Sequence, residues 1–111
     1  FVCVSSGGAH PRVRVQVKPG YQVPFAEAVK RGTGITTRAV GLINTPAQAE
    51  DVVASGAADL VAIGRGMLDN PRWGWHAAEE LGPELSYPPQ YARVTKKVWP
   101  GAALARPVAK A

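Results

Sequence analysis

Three short segments hold the residue types that bind anions: Ser5-Ser6-Gly7-Gly8, Gly41-Leu42-Ile43-Asn44 and Gly64-Arg65-Gly66. Each lies at the end of a short apolar run. Without a Cβ, the backbone N–H at Gly41 or Gly64 can approach an anion closely. Arg65 adds a guanidinium with its fork of donors, and Gly66-Met67-Leu68-Asp69 reads as a short helical turn beside it. Amides at a helix start together with a guanidinium make a good phosphate site. Spacing alone also allows a plainer reading, and puts it first. Gly41 and Gly64 then serve ordinary turns, Ser5 and Ser6 cap a turn, and Arg65 pairs on the surface with Asp69, an interaction worth little.

Other groupings offer less. His10 and His76 have no nearby Cys or acid at metal-ligand spacing, so no metal site is expected. Neither a Gly-x-Ser-x-Gly nucleophile elbow nor a Gly-x-x-x-x-Gly-Lys phosphate loop occurs. Glu79-Glu80 reads as the solvated face of a helix, and Cys3, inside an apolar run, as an inert core thiol. The chain offers no general acid or base of its own, so no catalytic residue is expected in it. It reads as a binding half-site.

The elements that must position these residues follow from hydrophobic patterning. Phe1-Val2-Cys3-Val4, Ala39-Val40-Gly41-Leu42-Ile43 and Leu60-Val61-Ala62-Ile63 are short apolar runs that suit strands buried on both faces. Helices fall between and after them. Pro24 suits a first helical turn, Phe25, Ala28 and Val29 share one face, and Lys30-Arg31-Gly32 ends the helix. Thr45-Pro46-Ala47-Gln48 is a capping box, with Ala49, Val52 and Val53 as the buried stripe and Gly56 as the stop. A last helix follows Asn70-Pro71, carries Trp73, Ala77, Ala78 and Leu81, and stops at Gly82. Strand and helix alternate three times, which implies right-handed crossovers and a parallel α/β sheet. In such folds ligands gather at the carboxyl ends of the strands, where all three candidate segments lie. Barrel enzymes often build a phosphate pocket after strands seven and eight with a short extra helix, the geometry suggested by Gly64 to Asp69. Ser86-Tyr87-Pro88-Pro89-Gln90-Tyr91 reads as an extended, Pro-rich stretch, and residues 94–111 as a loosely ordered tail.

Composition bounds the function class. The chain has 111 residues, enough for one ordinary domain, and a net charge of +5. No apolar run approaches the ~20 residues of a membrane span, so no membrane association is expected. One cysteine excludes an internal disulfide framework and fits a reducing, cytoplasmic compartment. The first forty residues hold six Lys/Arg against Glu27, residues 41–90 hold two against seven acids, and residues 91–111 hold five against none. Basic ends around an acidic centre, without a reading motif, argue against nucleic-acid binding. There is no Met at position 1 and the chain opens inside an apolar run, as a chain cut upstream would.

The order of several longer strings is more specific than any single motif. Val4-Ser5-Ser6-Gly7-Gly8 is followed by Pro19-Gly20-Tyr21-Gln22-Val23-Pro24-Phe25-Ala26-Glu27, Ala39-Val40-Gly41-Leu42-Ile43 and Ala58-Asp59-Leu60-Val61-Ala62-Ile63-Gly64-Arg65. Asn70-Pro71-Arg72-Trp73, Ala77-Ala78-Glu79-Glu80-Leu81-Gly82 and Pro89-Gln90-Tyr91-Ala92-Arg93 complete the series. Over residues 1–93 it resembles the Old Yellow Enzyme family, in its bacterial NADPH dehydrogenase or xenobiotic reductase branch. The resemblance implies part of an FMN-binding (β/α)₈ barrel, namely the carboxyl-terminal three βα units with strands 6–8. It implies FMN as cofactor, NADPH as reductant, activated enones as substrates and a homo-oligomer, with the amino-terminal barrel half as missing partner. Gly41, Gly64 and Arg65 match residues that hold the FMN phosphate, and Arg93 matches one that in some members reaches a neighbouring subunit's active site. The family's substrate histidines and its tyrosine proton donor lie on earlier strands, so the fragment alone is expected to be inactive. Cys3 stands where the family usually has an acid, and residues 94–111 continue past the end of most relatives. The alternative is a non-catalytic phosphate- or flavin-binding half-barrel that assembles with itself or with a separate amino-terminal fragment.

Overall fold

The structure is a computed structural model that describes residues 1–105. Strand β1 (Val2–Val4) is followed by α1 (Val23–Thr33), β2 (Thr37–Ala39), α2 (Pro46–Ala54), β3 (Leu60–Val61), α3 (Arg65–Asp69) and α4 (Trp73–Leu81). A 3₁₀ segment (Pro89–Val94) and a one-turn helix α5 (Ala102–Ala105) complete the described chain. The three strands form one parallel sheet in the order β1-β2-β3, as the strand–helix alternation requires.

Register divides the sheet into two faces. Val4, Ala39 and Val61 stand side by side and pack against the core of Ala26, Ile43, Ala49, Val52 and Ala58. Cys3, Arg38 and Leu60 form the next level, and alternation turns them to the opposite face. Helices α1 and α2 therefore cover one side only. Alanines dominate their contact with the strands, so helix and sheet backbones approach closely. Cys3 is exposed, not a core thiol, because it lies on the uncovered face.

The second strand is displaced from its expected span. The ladder covers Thr37–Ala39 and ends where Gly41 takes φ +121° and Leu42 φ +50°, conformations outside the β region. The apolar run Val40–Ile43 thus leaves the sheet, and Ile43 turns into the core.

Helix α1 ends at Gly34 rather than at Gly32, with Gly34 left-handed and its N–H bonded to the Lys30 carbonyl at 2.8 Å. Ala26 is its buried residue, while Phe25 is 49% exposed and Ala28 is also exposed. The small side chain faces the sheet because only it fits so close to β2. Helix α2 starts as its cap predicts, with Thr45 Oγ1 accepting the Gln48 N–H at 3.2 Å. Gln48 Oε1 reaches back to the N–H of Asn44 at 3.1 Å, one residue before the usual capping-box partner. Ala49 and Val52 are buried, but Val53 is exposed on the outer side of the helix. Gly82 closes α4 with φ +99°, and Ala77 is the residue of that helix that is buried.

The Pro-rich stretch is helical only from Pro89 onward, where an extended chain is expected, while residues 86–88 carry no helix and Pro88 is extended at φ −53°, ψ 143°. Pro89 occupies the first position of the 3₁₀ segment, where a missing N–H is harmless, and the Tyr91 N–H bonds the Pro88 carbonyl at 2.8 Å. Tyr91 then meets the edge of Trp75 at 5.0 Å, and the Arg72 guanidinium lies 4.9 Å from the Tyr91 ring centre. Of the expected tail, residues 94–105 include α5, whose Ala102 is buried. Residues 106–111 lie outside the described residues.

Candidate functional site

A cavity of about 220 Å³ opens at the carboxyl end of the sheet. Its walls come from the loop after β2, the loop after β3 and the turn that enters α1. Gly41, Gly64 and Arg65, singled out by type and spacing, all line it. The structure therefore brings these three together. Ser5 and Ser6 do not line it, although the Ser6 N–H donates to Gln22 Oε1 behind its wall. Arg93 is exposed at the end of the 3₁₀ segment, away from this cavity.

Each wall has a local cause. The Gly41 carbonyl accepts the Gly20 N–H at 2.8 Å, which ties the turn into α1 to the loop after β2. Tyr21 and Gln22 follow at once and line the cavity, with Gln22 almost fully buried. On the opposite wall α3 begins, so the amides of Arg65 and Gly66 have no carbonyl one turn earlier to bond. The Asn44 carbonyl accepts the Trp73 Nε1–H at 2.8 Å, which anchors the start of α4 to the loop after β2.

Arg65 is the single charged residue among those lining the cavity. It is exposed, and among the described residues it forms no ion pair with Asp69. A Cβ built on Gly64 would meet nothing within 4 Å, so this glycine leaves open space in front of the helix start. Among the described residues this gives a cation without an ion pair, helix-start amides and an open glycine, a donor set that suits a phosphate monoester. The volume is below the ~300–1,000 Å³ usual for whole-ligand pockets, so the cavity has room for one end of a larger molecule and not for the whole of it. A flavin phosphate fits this donor set; the walls for a flavin ring system are not among these residues.

Sequence reasoning missed Tyr21 and Gln22 as wall residues. Gln22 and Tyr21 sit inside the Pro-Gly-Tyr-Gln-Val-Pro string, and that string was the available signal.

The fold and site together define a parallel α/β unit with an anion-suited cavity at the strand tips. Residues 5–84 match the NADH:flavin oxidoreductase / NADH oxidase family, and the chain belongs to that family. It is 54% identical over 93 residues to the NADPH dehydrogenase of Geobacillus thermodenitrificans, covering 84% of this chain and 27% of that protein. It is 50% identical over 93 residues to the NADPH dehydrogenase of Geobacillus sp. strain WCH70, with the same shares covered. The NADPH dehydrogenase of Listeria innocua is 48% identical over 96 residues, covering 86% of this chain and 28% of that protein. The chain thus spans about a quarter of the length of these relatives. FMN and NADPH, the expected cofactors, agree with the family and with the names of these relatives. Among the described residues no helix is long and apolar enough to cross a membrane, and no group of His, Cys, Asp and Glu could hold a metal.

Proposed function

We propose that this chain is the carboxyl-terminal (βα)₃ part, strands 6–8, of an FMN-dependent NADPH:enone oxidoreductase, and that it supplies the flavin phosphate site. The supporting observation is the convergence of Gly41, Gly64 and Arg65 on one cavity whose lining carries a single positive charge. In this reading residues 1–93 belong to the barrel and residues 94–111 form an appended tail. Bound FMN supplies the hydride chemistry, with NADPH as its electron source and an activated C=C bond as acceptor.

This chain's part is to bind and orient. The amides of Arg65 and Gly66 donate to phosphate oxygens, and the Arg65 guanidinium neutralises their charge. Gly41, without a Cβ, lets the turn that carries Tyr21 and Gln22 pack against the loop after β2 and so shapes the wall of the cavity. Arg93, exposed beyond α4, is free to reach a neighbouring subunit of a homo-oligomer. Substrate-binding and proton-donating groups belong to the preceding strands. A reducing, cytoplasmic setting suits the chain's lone, exposed thiol.

The test is a chimera in which residues 5–84 replace the matching segment of the Geobacillus thermodenitrificans NADPH dehydrogenase. Arg65→Ala should weaken FMN retention at least tenfold in a flavin-release titration, while riboflavin, which lacks the phosphate, binds the two proteins alike. Equal FMN retention by both proteins refutes the phosphate assignment.

A further inference from the structure

Arg38 is a charged residue in the middle strand of the sheet, and no part of the proposed site uses it. Its Cα neighbours are Cys3 in β1 and Leu60 in β3, all on the face that no helix covers. The guanidinium carbon lies 5.1 Å from the centre of the Phe1 ring, which belongs to the same face. Nε of Arg38 is buried and has no hydrogen-bond partner among the described residues. The rest of the face is apolar and open: Phe1 is 71% exposed and Leu60 44%.

A guanidinium stays charged at any pH a protein survives, so it cannot escape burial by losing a proton. Covering this face with apolar side chains alone would strand a buried charge, a heavily unfavourable arrangement. A second copy of the chain would be no better. It would bring another Arg38 and another net charge of +5 against the first. The complementary surface must be largely apolar with one anionic group opposite the middle strand. The relatives are nearly four times the length of this segment, which leaves ample chain to provide it.

We propose that the strands completing the barrel close over this face and set a carboxylate against Arg38, forming an ion pair inside the barrel. This rests on the reading of the chain as part of a flavin barrel. The pair lies below the strand tips, distinct from the phosphate cavity, and selects for a partner surface that carries an acid at that level.

The test uses the complete enzyme that carries this segment. Each inward-facing Asp or Glu of the other strands is changed to its amide, alone and together with Arg38→Met. Urea midpoints are read, with flavin absorbance reporting the holoenzyme. One amide variant should lower the midpoint, and combining it with Arg38→Met should lower it no further than Arg38→Met alone. Where single variants fail to fold, Arg38→Glu paired with Lys at the partner position should recover soluble, flavin-bound protein. A flavin-bound enzyme in which every amide change is additive with Arg38→Met, or in which the swap recovers nothing, overturns the pair. A complete enzyme that binds no flavin overturns instead the reading on which the pair rests.

Discussion

Gly41 lies against the ring of Tyr21: a Cβ built on it would stand 3.1 Å from both Cδ1 and Cε1. The same Cβ would meet Gln22 Cβ at 3.2 Å, and the residue holds φ +121°. Both the space and the backbone therefore require glycine. Gly64, across the cavity, has neither constraint on folding, because its Cβ direction is empty. The two glycines differ in kind: one shapes the wall and the other leaves room for a ligand.

Gly41→Ala should lower stability by about 1–3 kcal/mol, through the strained φ and the Tyr21 contact together. Gly64→Ala should leave the urea midpoint of the chimera nearly unchanged but weaken FMN binding, since its methyl group enters the cavity. Measuring both quantities on both variants checks the distinction. Equal loss of stability by the two variants would contradict it.

Asp59 joins α1 to the start of the sheet. The Lys30 ammonium lies 2.8 Å from its carboxylate, and the Thr37 N–H donates to it at 2.8 Å. Lys30 first, then the Thr37 amide, hold the carboxyl below its ordinary value of 3.8. The sign follows from the depressed folded-state value. The stabilisation is fully present above pH 3.8 and is lost as pH falls through the lower folded-state value. Asp59→Asn should flatten the acid limb of an unfolding-midpoint curve and leave its slope near neutrality unchanged. The effect should shrink in high salt, since the pair is partly exposed.

Trp73→Phe removes the donor to the Asn44 carbonyl while keeping most of the packed ring. A typical hydrogen bond contributes about 0.5–1.5 kcal/mol, and a loss of that size is expected in denaturant unfolding. The loop after β2 loses its anchor to α4 at the same time, so FMN release should quicken. A variant with lower stability but unaltered release would separate the anchor from the cavity.

Several features were legible in the sequence because one local interaction decides them. Thr45, Pro46 and Gln48 specify the start of α2 without help from the rest of the chain, and Gly82 specifies the end of α4. Gly64-Arg65 was legible as a cavity wall because it directly follows the third apolar run and so falls at a strand tip. The second strand was misplaced for an equally physical reason. Thr37 and Arg38 lie just before the apolar run Ala39–Ile43 and are polar, yet both are in the ladder, with Thr37 buried and Arg38 facing the open side. The apolar run after them is bent out of the ladder by Gly41 and Leu42. Burial of Ala26 in place of Phe25 was illegible because hydrophobicity does not report how closely α1 approaches the sheet. Gln22 was illegible because its burial depends on a loop sixteen residues away, through Ser6.

The bond from the Gly20 amide to the Gly41 carbonyl joins two loops, far apart along the chain, into one continuous wall. Strain introduced near Pro19 is felt directly at the lip of the opposite loop. A substitution that distorts the turn at Gly20 therefore also displaces the cavity wall at Gly41, from outside the cavity itself.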